Sequence, residues 1–282
     1  MTDSARAVLV GRGRAVSPPR RSRPLGPLGI QLLVVLAAIV AWQLFSYTEI
    51  GRIAMFPGFV ETAGAFLSLM GGGQFWAAVG TTLFVWAVAL VISVGIGVPL
   101  GLLIGRLPFL EQSTSLTIDF LRTIPSFALI PVSLLIVGAT NTMVIITAVI
   151  AGVWPLLIQS IYAAKGADPV LRQVARSYHL TLAHRIRYVL APDALAFIWP
   201  GLRLAVTVVL LVAVGAQLIG GAPGLGFEIQ AALTSNKQDV MLAYVVASML
   251  LGLSFNSALG WAQKKWLWWH PSVRTGREAG AK

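Results

Sequence analysis

Between Ala77 and Ile104 the chain reads AAVGTTLFVWAVALVISVGIGVPLGLLI, a long run without one charged residue. A helix crossing a hydrocarbon core of about 30 Å needs about 20 mainly apolar residues. A run this long, without strict alternation of polar and apolar positions, argues for a helix and against a barrel strand. Five further runs lie around it: Leu25–Tyr47 before, and Thr123–Gly138, Thr142–Ala163, Ala194–Ile219 and Val240–Ala262 after. They predict an all-α polytopic membrane protein with six transmembrane helices. The third run is short and carries Pro125 and Pro131, so it is expected to be tilted or broken.

Composition agrees with a membrane chain. Of 282 residues, 57% are hydrophobic and 11% charged, with a mean hydropathy of +0.81; soluble domains carry about 25% charged residues. The absence of cysteine excludes disulfide scaffolds, thiol nucleophiles and cysteine-based metal sites. Three histidines (His179, His184 and His270) argue against a His-rich metal centre. The net charge of +11 could suggest nucleic acid, but the cations are separated by long apolar runs, so no nucleic-acid partner is expected.

The cations report orientation instead. Nineteen Lys and Arg fall on one set of segments: residues 1–24, Arg106 with Arg122, Lys165 to Arg203, and Lys264 to Lys282; only Arg52 and Lys237 fall on the other. By the positive-inside rule both termini and the 164–193 loop are cytoplasmic. The Arg20-Arg21 pair precedes an apolar stretch with no small-x-small cleavage site, so an uncleaved first span is expected rather than a signal peptide. Residues 1–24 read as a disordered basic tail, 25–265 as the six-helix domain and 266–282 as a C-terminal tail. Trp261, Trp266, Trp268 and Trp269 beside Lys264 and Lys265 fit an interfacial aromatic belt.

The spans hold no Asp or Glu in their interiors, and no HExxH, Walker A or Ser/His/Asp pattern occurs. No catalytic residue, cofactor or metal is therefore expected in this chain. The Gly220–Gly226 run lacks a following Lys-Ser/Thr and reads as a turn, not a phosphate loop. An ion-coupled carrier and a non-transporting membrane scaffold are the alternatives from other classes. The informative segment is the loop 164–193. Asp168-Pro169 looks like an N-cap followed by proline at the first helical position, with Val170, Val174 and Tyr178 on one face. Thr181 can cap a second short helix carrying Leu182, Ile186 and Leu190, which Pro192 closes. This pair could lie on anionic lipid or present a helix to a cytosolic partner.

The segment Gln173-Val174-Ala175-Arg176-Ser177-Tyr178-His179, a nine-residue spacer, then Val189-Leu190-Ala191-Pro192, resembles the EAA loop of ABC importer permeases. The spacing is kept, and Ala175 and Pro192 match. Gln173 replaces Glu, His179 replaces Gly, and Ala191 replaces Leu; a Gly there implies positive φ, which His tolerates better than most residues. Thr81-Thr82, Gly97-Val-Pro99-Leu-Gly101, Arg122-Thr-Ile-Pro125, and Gly224-Leu-Gly-Phe227 are similar to the nitrate/sulfonate/taurine-type members, and Gln217 stands where many have Glu. The resemblance spans about residues 30–265. It implies a type I importer permease fold at a bacterial inner membrane. It also implies a second permease copy or sister permease, a cytosolic ABC ATPase dimer carrying ATP and Mg, and an extracytoplasmic solute-binding protein. Coupling to the ATPase is carried over to residues 173–185 (including Leu180, Thr181, Leu182, Ala183, His184 and Arg185), Val189 and Pro192. Ser93, Gly97, Gly101 and Gly105 recur every four residues, a stripe that permits close helix packing or lines a pathway; Pro125 and Pro131 are further candidates for packing or the pathway.

Overall fold

The computed structural model describes residues 27–166, 173 and 177–267. Every secondary-structure element among the described residues is a helix. They run as α1 (Pro27–Tyr47), α2 (Glu49–Ile53), α3 (Phe59–Met70), α4 (Gly73–Arg106), α5 (Pro108–Leu121) and, after a 3₁₀ turn (Ser126–Leu129), α6 (Ile130–Val137). Next come α7 (Asn141–Gly166), the single turn α8 (Leu182–Arg185), a π-helical turn (Ile186–Leu190) and α9 (Ala191–Gly220); α10 (Leu225–Thr234) and α11 (Gln238–Trp266) follow.

Five helices are long and apolar enough to cross a membrane, and α5 with 126–137 forms a sixth apolar unit bent by 77°. The third span is thus broken, and the expected limits Thr123–Gly138 cover only its second arm. Pro125 supplies the break, because the residue before a proline is pushed out of the α region. Pro131 does not kink α6; it sits in the first turn, where its missing N–H has no intrahelical partner to lose. Glu111 and Asp119 kept α5 out of the apolar-run reading. Helices also occupy Phe59–Met70, Pro108–Leu121 and Leu225–Thr234, between the apolar runs.

The core lies where α4, α7 and α9 cross. Val85 and Ala89 of α4 meet Met143, Val144 and Ala148 of α7 and Val209, Val212, Ala213 and Ala216 of α9. Lipid is as apolar as these side chains, so close packing rather than water exclusion holds the three together. A second cluster joins Phe75, Ala78 and Val79 to Leu225 and Ile229 of α10 and Tyr244 and Ala247 of α11. Helix α1 stands at the edge, its apolar window unburied. It is tied in by Trp42, which donates to the Pro57 carbonyl at 3.1 Å and meets the Phe59 ring edge-on.

Candidate functional site

The candidate loop joins α7 to α9. Asp168, Pro169, Val170, Arg172, Val174, Ala175 and Arg176 lie outside the described residues, as do the 1–24 tail, Trp268, Trp269 and His270. Gln173 is exposed, and its carbonyl accepts from Ser177 Oγ at 3.1 Å, four residues on. The chain turns at His179, which lies in the left-handed region with φ of +48°. This is the position where the EAA pattern has Gly, and the conformation explains that Gly: an L-residue with a Cβ takes it only at a cost.

Thr181 opens the next turn. Its carbonyl accepts from Arg185 N–H at 2.9 Å, and its hydroxyl lies 2.6 Å from His184 Nδ1. Past Ala183 and Arg185 the expected end at Pro192 does not occur, because the helix runs on without a break from Ala183 to Gly220. The π turn makes this possible. Ala191 N–H reaches back five residues to the Ile186 carbonyl, and the widened turn absorbs the register change where Pro192 has no N–H to give. Val189 and Leu190 are half-buried there, whereas Tyr178, Ile186 and Tyr188 are exposed, Tyr178 to 76%. Tyr188 stacks on His184 and carries the Arg187 guanidinium 5.7 Å from its ring centre. Leu180 completes an exposed apolar, aromatic and basic surface.

The small-residue stripe of α4 faces α7. A Cβ built on Gly97 would lie 2.9 Å from Leu156 Cβ and from the Val153 carbonyl oxygen; on Gly105, 2.6 Å from the Ile161 oxygen. At Gly101 it would strike the Leu157 carbonyl. Ser93 is fully buried, bonds the Ala89 carbonyl at 2.7 Å and abuts Gly152. Near the same loop end, Arg122 pairs with Asp119 across the α5 terminus at 3.1 Å, and Lys165 pairs with Glu111.

Sequence reasoning misplaced one position, Arg203, and gave another, Gln217, no structural role. The charge count placed Arg203 with the loop, but it sits some three turns inside α9, donating through Nε to Asn256 Oδ1 of α11 at 2.8 Å. A lone cation inside an apolar run was the available signal. Gln217 is fully buried; its Oε1 accepts from Thr82 Oγ1 at 3.0 Å and from Gly226 N–H at 3.3 Å, and Thr82 Oγ1 accepts from Leu225 N–H at 2.9 Å. Those bonds pin the start of α10 to α4 and α9 beyond the glycine turn, where Gly221 and Gly224 have positive φ.

Three comparisons bear on this arrangement. The aliphatic sulfonates transport permease protein SsuC of Bacillus subtilis (strain 168) is 25% identical over 254 residues, 90% of this chain and 91% of the relative. The nitrate import permease protein NrtB of Leptolyngbya laminosa is 28% identical over 188 residues, 67% of each chain. Among solved structures, a chain of the MetNI methionine ABC transporter in inward facing conformations superposes with a TM-score of 0.59 at 20% identity, covering 68% of this chain and 96% of that one. The fold is therefore that of a type I importer permease, a multi-pass membrane architecture. The model of the binding-protein-dependent transport system inner membrane component family matches residues 97–267, from the α4 glycines through the loop to the end of α11, and the chain belongs to that family of ABC transporter permeases.

Proposed function

We propose that the chain is the membrane-spanning permease subunit of an ATP-driven importer for a small oxyanion. It works as a dimer whose pathway lies at the subunit interface, with both termini and the 164–193 loop in the cytoplasm. The observation that carries this reading is the positive-φ turn at His179. It sets an exposed surface (Tyr178, Leu180, Ile186 and Tyr188) at the head of a helix that continues into the bundle. An amphipathic segment of this kind fits the groove of a partner. Closure of two ATPase subunits would then bias the bundle between two arrangements, since a ligand shifts an equilibrium only by binding the two states differently. The oxyanion class is supported by the sulfonate and nitrate permeases among the relatives. ATP and Mg belong to the ATPase, and solute selection to an extracytoplasmic binding protein.

Replacing Ala175 by Glu, or deleting residues 176–185, tests the coupling role. The expected result is loss of ATPase co-purification and of uptake, with the permease still inserted and monodisperse. Undiminished co-purification and uptake in both variants would refute it. An ion gradient driving uptake in vesicles without any ATPase would instead favour a secondary carrier.

A further inference from the structure

Among the described residues Arg203 is a cation without a carboxylate partner. No Asp or Glu occurs at positions 62–110, 120–167, 194–227 or 240–277. The helices around it, α4, α7, α9 and α11, therefore bring no counter-charge to its depth. Arg203 is exposed at the bundle surface, with Thr207 and Leu211 continuing the exposed stripe one and two turns along. Of the five N–H donors of its guanidinium, Asn256 accepts one, and no other partner occurs among the described residues.

Asn256 is held firmly. Its neighbour Phe255 stacks on Trp86 with ring centres 3.9 Å apart and planes 8° from parallel, and Trp86 Nε1 donates to the Val206 carbonyl at 3.1 Å. Three helices thus meet beside the arginine. Asn256 uses its oxygen to accept from Arg203, which leaves its amide N–H pair to donate. At 1.5 Å per residue, Arg203 lies about 25 Å below the far end of α9 and Asn256 about 27 Å below that of α11. Both sit at one depth, near the loop-side edge of a hydrocarbon core of about 30 Å.

We infer that Arg203 and Asn256 form an oxyanion-binding site at the loop-side end of the membrane core. The guanidinium offers a fork of N–H groups matched to two oxygens of a planar or tetrahedral anion, and the Asn256 amide adds a neutral donor. An ionisable residue embedded in a span marks a solute path or binds a headgroup, and the free chemistry here is the same for either. Assignment of the anion to a transported solute rests on the function proposed above.

The test uses the full chain in nanodiscs. In pure phosphatidylcholine, nitrate or methanesulfonate is titrated and the thermal unfolding midpoint followed, with chloride as control. Wild type should be stabilised, Arg203→Gln should need about tenfold more anion or show no response, and Arg203→Lys, which keeps the charge but not the fork, should fall between. Asn256→Ala should weaken the response while leaving the unliganded midpoint close to wild type. If free anions are silent but phosphatidylglycerol stabilises wild type above Arg203→Gln, the site stands with a lipid phosphate as its oxyanion. Equal responses of wild type and Arg203→Gln in both arms overturn the site. In the assembled importer, Arg203→Gln should lower oxyanion uptake while still co-purifying the ATPase. Undiminished uptake there would reject the solute role and leave the proposed substrate class intact, whereas a wild-type importer that moves no oxyanion would reject that substrate class.

Discussion

Replacing Gly101 by Ala puts a single methyl group between α4 and α7. Built on the existing backbone, that carbon lies 2.6 Å from Ser160 Cβ and collides with the Leu157 carbonyl oxygen. Carbon contacts are comfortable at about 3.5–4.0 Å, so the two helices must part by roughly 1 Å. A gap of that size forfeits a quarter to a half of each neighbouring contact's attraction. Overpacking of this kind costs about 1–3 kcal/mol. Gly95 supplies the control: it lies on the same helix, and a Cβ there meets nothing within 4 Å. Both substitutions gain about 0.5–1 kcal/mol of helix propensity, so their difference isolates the steric cost. Thermal unfolding of the detergent-solubilised chain should place the Gly101→Ala midpoint roughly 2–10 °C below Gly95→Ala. Equal midpoints for the two would refute the claim that backbone approach along this stripe holds α4 against α7.

Gln217→Ala removes the acceptor shared by Thr82 and Gly226, at a cost of about 1–3 kcal/mol for the buried donors left unpaired. Amide exchange at Leu225 and Gly226 should rise sharply, and unchanged protection would show that α10 is anchored by other means. His179→Pro fixes φ near −65° and should abolish ATPase co-purification, while His179→Gly, which reaches positive φ freely, should preserve it. A tolerated proline would mean that the positive-φ turn is not needed for docking. Glu111→Gln and Asp119→Asn each disrupt a partly exposed ion pair and should change stability by less than about 1 kcal/mol. A loss several times larger in either thermal melt would reveal a buried role for α5.

The three long apolar runs that became α4, α7 and α9 were readable because lipid imposes one rule on nearly every position, apolar and helical over about 20 residues. The turn at His179 was readable for a different reason: a motif position that demands positive φ identifies itself by the residue it normally holds. The bend at Pro125 was anticipated as a break, but its first arm was not. Helix α5 carries Glu111, Gln112, Ser113, Thr114 and Asp119, and a hydropathy scan has no means of telling such a helix from a loop. Pro192 misled for a local reason: a proline usually ends a helix, and only the i to i−5 bond at Ala191 shows how this one is passed. Arg203 was assigned by the sign of its charge when its position inside an apolar run should have decided. Gln217 was noticed only as a departure from a pattern, because its partner Thr82 is 135 residues away and pairing at that separation is written in no local signal.

The unbroken helix from Ala183 to Gly220 has 38 residues, a rod of about 57 Å. That exceeds a hydrocarbon core of about 30 Å, and with Arg203 only about 25 Å from Gly220 the excess lies on the loop side. A rod of that length converts angle into distance: a tilt of only about 10° about one end sweeps the other through roughly 10 Å. Its softest point is the π turn at Ile186–Leu190, where one residue is out of step with the ladder. On the proposed docking, stiffness there would set the gearing between the exposed tyrosines and the glycine turn that carries α10. Regularising the turn with Pro192→Ala would therefore change transmission ratio rather than binding.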